Sequence, residues 1–181
     1  TKKIISDGID SVVPKDFNGI GCNAFFKSKI ERIEIPKTVE EIDTGAMYGA
    51  GSLKTIVLNE GLKTIGSSAF DGTAIKEISI PSTVQKIKEC AFMDCSKLQL
   101  VTLNAGLKVI EAGAFHNTRI SEIVIPDTVE SMEGFVFSNC KKLKKIYCVS
   151  KSKPDTWDNE WNGKSFDNDK KHKVVWGYKG K

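Results

Sequence analysis

The stretch Ile30-Glu31-Arg32-Ile33-Glu34-Ile35-Pro36-Lys37-Thr38-Val39-Glu40-Glu41-Ile42-Asp43-Thr44-Gly45-Ala46-Met47 decides the fold, because the chain repeats it. The same frame returns at Leu53, Ile75, Leu98 and Ile120. A partial copy passes from Val13-Pro14 through Ile20-Gly21 to Ala24-Phe25, and a half copy, Leu143 to Cys148, closes the series. One column reads Phe25, Met47, Phe70, Phe92, Phe115 and Phe137, with steps alternating between 22 and 23 residues. The column before it reads Ala24, Ala46, Ala69, Ala91, Ala114 and Val136, and a third reads Ile33, Ile56, Ile78, Val101, Ile123 and Ile146. Self-similarity at such a period is the signature of a repeat architecture and outranks any local reading.

Each column has a physical role. Ile33-Glu34-Ile35 and its equivalents alternate apolar and polar, the period of a half-buried strand. Pro36, Asn59, Pro81, Asn104 and Pro126 follow the strands, and Pro cannot donate to a ladder. Val39 and Ile42 pack from the opposite wall, and Ala46-Met47 fills the turn. No coil of about 22 residues can close its own core. Stacked in register, each coil buries its apolar residues against both neighbours, with parallel strands about 4.8 Å apart. Each buried Ile, Leu or Phe contributes roughly 1.5–3 kcal/mol. The expected fold is therefore a mostly β solenoid of about five to six 22- or 23-residue coils, with a parallel sheet and short helical turns. The Pro/Asn alternation accompanies the length alternation: Asp71-Gly72-Thr73-Ala74 is one residue shorter than Met93-Asp94-Cys95-Ser96-Lys97 before the next apolar column. A pair of coils is thus the expected true unit.

The motif Leu-x-x-Ile-x-Ile-Pro-x-x-Val-x-x-Ile-Gly-x-x-Ala-Phe-x-x-Cys, clearest across Ile75–Cys95, resembles the BspA-like class of leucine-rich repeats. The resemblance covers about residues 9–148. Met47 stands in place of Phe, Asp43 and Lys88 in place of the usual Gly, and Phe17 in place of Val. The tail, with Lys153-Pro154-Asp155-Thr156-Trp157, Trp161-Asn162-Gly163 and Val174-Val175-Trp176-Gly177-Tyr178, also resembles the ending of such arrays. The resemblance implies a leucine-rich-repeat solenoid over 1–149 and a C-terminal cap over 150–181. It further implies a cell-surface or secreted interaction module that binds a host or extracellular-matrix protein, and an extracellular or surface location.

Composition narrows the alternatives. At 181 residues, 40% hydrophobic and 28% charged, the chain is ordinary for a globular protein. No apolar run approaches the roughly 20 residues of a membrane span, so membrane insertion is not expected. The opening Thr1-Lys2-Lys3 leads to Asp7-Gly8 rather than to an apolar leader segment. Because the start falls close to a repeat, a fragment of a longer protein is expected, and the missing leader is no argument for a cytoplasmic home. The net charge is +4, and the stretch from Lys151 onward holds eight Lys against five acids. The nearly balanced remainder argues against a nucleic-acid groove, and the basic tail reads as a solvated terminus.

The sequence offers no catalytic constellation. His116 follows Phe115 in a turn and His172 lies in a Lys-rich tail, neither beside a recognisable nucleophile motif. Gly61-Leu62 and Gly106-Leu107 recur at the repeat period and are turn glycines, not a phosphate loop. Cys90 and Cys95 lack a C-x-x-C spacing and a His partner, and Asp167-Asn168-Asp169 lacks the remaining ligands of a calcium loop. No cofactor, no metal and no enzyme activity are expected. Cys148 falls in the inward strand column. Cys95 and Cys140 share a turn column with Ser28, Ala50, Thr73 and Thr118, two coils apart, beyond the roughly 7 Å Cα limit of a disulfide. With Cys22 and Cys90 in other columns, five free, buried thiols are expected.

Binding then falls to the exposed faces. The outward strand columns read Arg32, Thr55, Glu77, Leu100, Glu122, Lys145 and Glu34, Val57, Ser79, Thr102, Val124, Tyr147. They form the expected ligand-facing surface, with Val57, Leu100, Val124 and Tyr147 as an apolar patch. Trp157, Trp161, Phe166 and Trp176 gather after the last repeat, read here as a cap closing the core. Two rival readings remain: a carbohydrate-binding module using those aromatic faces, which requires them exposed, and a spacer within a larger surface protein.

Overall fold

The structure, a computed structural model, describes residues 10–163 and 172–180. Phe166 and Asp167-Asn168-Asp169 lie outside the described residues. Each coil carries a longer strand, then a two-residue strand, then a run of turns. The longer strands are β1 (Asp10–Val12), β3 (Arg32–Ile35), β5 (Thr55–Leu58), β7 (Glu77–Ile80), β9 (Leu100–Leu103), β11 (Glu122–Ile125) and β13 (Lys145–Cys148). The short ones are β2 (Gly19–Ile20), β4 (Glu41–Ile42), β6 (Thr64–Ile65), β8 (Lys86–Ile87), β10 (Val109–Ile110) and β12 (Ser131–Met132). All pairings are parallel, one coil to the next.

The alternating columns behave as half-buried strands should. β3, β7, β9 and β11 each run exposed, buried, exposed, buried. On the opposite side the β2–β12 sheet is continuous through six strands and turns Ile42, Ile65, Ile87, Ile110 and Met132 inward with no exposure. Between these walls Phe70, Phe92, Phe115 and Phe137 stack face to face, centroids 5.1, 5.3 and 5.7 Å apart. Small Ala69, Ala91 and Ala114 beside them let the coils approach.

The expected helical turns are not helices; among the described residues there is none. A helix bonds successive amides beyond its first turn within its own segment, and here alternate amides are given away. Met47 N–H donates to Ala69 O in the next coil at 2.8 Å and Gly49 N–H to Asp71 O at 2.7 Å. The intervening Tyr48 and Ala50 amides close local turns on Gly45 and Met47. This alternation needs left-handed backbone at two fixed positions per coil, filled by Gly45 and Gly49 but also by Ser68, Cys90, Asp94 and Asn117.

The longer strands do not form one sheet. They pair as β1-β3-β5, as β7-β9 and as β11-β13-β14, where β14 is Lys173–Trp176. Ladders close where the step is 23 residues (β3 to β5, β7 to β9, β11 to β13) and are interrupted at two 22-residue steps, β5 to β7 and β9 to β11. The step from β1 to β3, also 22 residues, is paired and departs from this rule. Asn59 and Asn104 extend the closed pairs, donating from Nδ2 to Ile35 O at 2.9 Å and Ile80 O at 2.8 Å. Pro81 and Pro126, in the same column on the far side of each interruption, have no N–H to donate.

A hydroxyl bridges each interruption. Thr83 Oγ1 donates to Leu62 O at 2.8 Å and accepts from Gly61 N–H at 3.0 Å. Thr128 Oγ1 does the same with Leu107 O and Gly106 N–H, at 2.9 and 3.3 Å. Gly61 and Gly106 are required here: their φ values are 120° and 139°, and a Cβ would run into the carbonyls of Lys37 and Ser82.

After β13 the chain leaves the repeat. Trp157 and Trp161 are each 2% exposed. Trp161 meets Phe137, the last ring of the stack, edge-on at 6.2 Å, and Trp157 Nε1 donates to Val129 O at 3.2 Å. The chain returns as β14 beside β13, and His172 sets its ring nitrogens 3.1 Å from the carbonyls of Leu143 and Phe137.

Candidate binding face

The pleat places all twelve outward residues named from the sequence on one wall. Arg32, Glu34, Thr55, Glu77, Ser79, Leu100, Thr102, Glu122 and Val124 are exposed, and Val57, Lys145 and Tyr147 are half-buried. They are not equivalent. Leu100 is 55% exposed, the largest exposure among the large apolar side chains of the described residues, and Val124 is 38% exposed. Their inward neighbours Val101 and Ile123 are buried, so the backbone here is fixed from beneath.

Two grooves mark this wall. The β9/β11 groove, about 280 Å³, is walled by Leu100, Thr102, Val124, Tyr147 and Tyr178. A second groove, about 210 Å³, is walled by Ile56, Glu77, Ile78, Ser79 and Thr102, so it reaches from the β5/β7 boundary over the closed β7/β9 pair, and it shares Leu100. Leu100 therefore stands as a ridge between two grooves, flanked one coil away by Glu77 and Glu122.

Tyr178 is a member the sequence reading did not assign to this face. β14 adds a strand beyond β13, with Val175 opposite Tyr147, and carries the Tyr178 ring to 4.6 Å from Tyr147. The signal was present in Val174-Val175-Trp176, a β-rich run, but nothing in the repeat frame says that the tail returns to the same sheet. Lys145 Nζ lies 6.0 Å from the Tyr147 ring, within reach of a cation–π contact. The face is thus apolar and aromatic at its centre, with acidic residues and a lysine around it. Such an arrangement can hold apolar or aromatic side chains of a partner; it holds no nucleophile and no paired acid and base.

A larger depression of about 580 Å³ lies at the first coils, between Lys15, Glu34, Pro36, Lys37, Asn59 and Glu60. Its two lysines face two glutamates and it lacks an aromatic anchor, so the smaller β9/β11 groove is the stronger site.

The tail tryptophans offer no stacking platform. Trp157 and Trp161 are buried, Trp176 is half-buried, and the three rings meet one another at 5.1, 6.0 and 6.4 Å in edge or tilted geometry. Sugar stacking needs an open ring face, which Trp157 and Trp161 do not have.

The cysteines are free, as expected, but not all are buried: Cys22 is exposed and Cys90 half-buried. Cys90 occupies a left-handed turn position, φ 54°, which points its side chain away from the core. Cys22 lies at the same outer bend, and its thiol, hydrogen-bonded to the Asp43 carboxylate, is held above the ordinary cysteine range. Burial pushes Cys95 and Cys148 up to about 12, so both are inert thiols. Cys95 Sγ meets Thr73 Oγ1 at 3.3 Å and donates to Phe70 O at 3.1 Å; Cys140 repeats this with Thr118 and Phe115. These cysteines seal a turn. Among the described residues no group of His, Cys, Asp and Glu gathers as a metal site, and no helix is long and apolar enough to cross a membrane.

The profile of the BspA type leucine rich repeat region matches residues 14–150 in six copies. Several solved structures are similar. The pneumococcal vaccine antigen PcpA is 23% identical with a TM-score of 0.71, over 78% of this chain and 40% of that one. A leucine rich cell surface protein of Faecalibacterium prausnitzii is 25% identical with a TM-score of 0.58, over 83% of this chain and 51% of that one. A leucine rich repeat protein of T. pallidum is 21% identical with a TM-score of 0.54, over 78% and 59%. The chain thus corresponds to between 40% and 59% of those proteins. No curated protein sequence matches it.

Proposed function

Because the chain belongs to the BspA-type leucine-rich-repeat family, we propose that it is a non-enzymatic interaction module, displayed outside the cell, that adheres to a host or extracellular-matrix protein through its strand wall. The observation that carries this reading is Leu100, 55% exposed on the ridge between two grooves and beside the Tyr147–Tyr178 pair. A large apolar side chain held rigidly in water has no folding role, and aromatic anchors around a groove are the usual centre of a protein interface. The description of the Faecalibacterium protein as a cell surface protein supports the extracellular placement. In the same reading residues 150–181 are the end closure of the solenoid, since Trp161 covers the Phe137 ring that the next coil would otherwise cover.

The test is binding of the purified chain to an array of extracellular-matrix proteins, alongside the double variant Leu100→Thr and Val124→Ser. Both substitutions install residues that the same columns already carry at Thr55 and Ser79, so the fold is expected to be retained and stability to change by less than about 0.5 kcal/mol per substitution. A protein bound by the parent chain and lost by about tenfold or more in the double variant supports the reading. Equal binding by both proteins removes the strand wall from consideration.

A further inference from the structure

The corner where the turn run meets the longer strand is chemically different in the two halves of the molecule. Immediately before the apolar column Ile30, Leu53, Ile75, Leu98, Ile120 and Leu143, the chain places Lys29, Ser52 and Ala74 in the first three coils, but Lys97, Arg119 and Lys142 in the last three. Backbone bonds hold these later coils in register at this corner: Arg119 N–H donates to Leu98 O and Lys144 N–H to Ser121 O, both at 2.9 Å. Three cations are thereby stacked at the coil spacing of roughly 4.8 Å. Lys141 and Lys144 flank them.

Two adjoining depressions run along this corner. One, about 360 Å³, is walled by Ser96, Lys97, Asn117, Arg119, Asn139 and Lys141; the other, about 460 Å³, by Gln99, Arg119, Ser121, Lys142 and Lys144. Arg119 and Lys142 line both. All five cations are exposed, and among the described residues none has a carboxylate partner. Elsewhere five lysines are neutralised: Lys54 pairs with Glu31, Lys63 with Glu40, Lys86 with Glu111, Lys88 with Glu41 and Lys108 with Glu130. Like charges stacked on neighbouring coils repel, and among the described residues no carboxylate pairs with these cations to relieve that repulsion. Asp94, the nearest acid of the turn run, is turned to the Asn117 amide at 2.7 Å and lines neither depression.

We propose that this cationic corner binds a linear sulfated polysaccharide lying along the solenoid axis. The chemistry selects the partner. Neither depression has an apolar or aromatic side chain in its wall, so it lacks the anchors that a protein or peptide would use. It equally lacks the stacking rings on which single-stranded nucleic acid depends. What it presents is a row of cations beside hydroxyl and amide groups, which suits a hydrophilic chain bearing anionic groups at intervals. Arg119, planar and weakly hydrated, faces both depressions and is the central contact. The site lies around the corner from the Leu100 groove and stands or falls independently of the adhesion reading.

The experiment measures binding of the whole chain to heparin, to hyaluronan, which carries carboxylates but no sulfate, and to single-stranded DNA, across a salt series. The ridge variant combines Lys97→Ser, Arg119→Ala and Lys142→Ser, residue types the same column already holds at Ser52 and Ala74. The control combines Lys63→Ala, Lys86→Ala and Lys108→Ala, which removes the same number of positive charges from ion-paired positions. The single variant Arg119→Ala is read in parallel, so that a folding defect in the triple does not remove the test. The expected result is heparin binding weakened by about tenfold or more in the ridge variant, with the salt dependence flattened by about one unit of log–log slope per removed cation. The control changes it by less than about threefold, and Arg119→Ala falls in between. Absent heparin binding, equal losses in ridge and control variants, or hyaluronan or DNA bound as tightly as heparin would each overturn the assignment.

Discussion

The two walls of this solenoid are built from the same coils, yet one is continuous and the other is not. On the aromatic side the Phe stack, the turn-to-turn bonds and the six-stranded β2–β12 sheet run from coil to coil without a gap. On the strand side the ladder stops twice, and the solvent face there carries Leu100, charges and hydroxyls in no fixed pattern. The difference separates two tasks. Register is set by the aromatic wall, where the residue type hardly changes from coil to coil, leaving the strand wall free to vary its outward residues and shape grooves.

The sharpest way to break this comparison is to cut the aromatic wall at its centre. Phe92→Ala removes a ring stacked on both sides and fully buried, and is expected to cost about 3–5 kcal/mol in urea denaturation. Leu100→Ala, on the other wall, is expected to leave stability within about 0.5 kcal/mol. Comparable losses in the two variants would refute the division of tasks.

A smaller effect tests whether hydroxyls stand in for the missing ladder. Thr83→Val keeps the shape but strands Leu62 O and Gly61 N–H across the β5/β7 interruption, at an expected cost of about 1–2 kcal/mol. Thr38, in the same column but exposed, is expected to tolerate Val with almost no loss of melting temperature. If both substitutions are silent, the hydroxyl bridges carry no stability.

The smallest effect concerns charge on the aromatic side. Partial burial, reinforced by the Asp94 carboxylate, raises Asp71 to about 6 from 3.8. A raised acid in the folded state costs stability once ionised: the cost is full above pH 6, shrinks as pH falls through the window from 6 to 3.8, and is absent below it. Asp71→Asn is therefore expected to stabilise the protein at pH 7.5 by about 1 kcal/mol, after allowing for solvent screening of a half-exposed group, and not at pH 3.5. Melting curves of both proteins at the two pH values decide it; an equal gain at both would assign the effect to something other than charge.

Much of the fold was legible because the apolar columns repeat: Phe70, Phe92, Phe115 and Phe137 could be aligned by eye, and all are fully buried. The pairing of coils was also legible, in the alternation of Pro with Asn and of 23 with 22 residues. The turn run was less so. Its alternate amides are donated to a neighbouring coil, a non-local partner that no local pattern announces, and Ser68 and Cys90 occupy left-handed positions that Gly holds in other coils. Exposure along the strand face followed from period-two patterning. Its grooves did not, because side chains of three neighbouring coils and of the tail wall them, and Tyr178 reaches the face only through the return of the tail as β14. The column of Lys97, Arg119 and Lys142 is present in the sequence but was not singled out there, because its lack of carboxylate partners among the described residues depends on where the side chains of other coils lie.

The interrupted ladder also has a mechanical meaning. A rod bonded continuously along one side and segmented along the other does not bend uniformly; it flexes at the segment boundaries, with the continuous side acting as the hinge pin. Here the pin is the Phe stack and the boundaries are β5/β7 and β9/β11. Tension applied to the strand side spreads the coils at the Thr83 and Thr128 bridges before it strains any closed pair. Each boundary also borders a groove beside Leu100, so flexing of the rod and the width of its grooves are coupled. Whatever occupies such a groove splints the rod, and whatever pulls the rod straight or bent changes what the groove can hold.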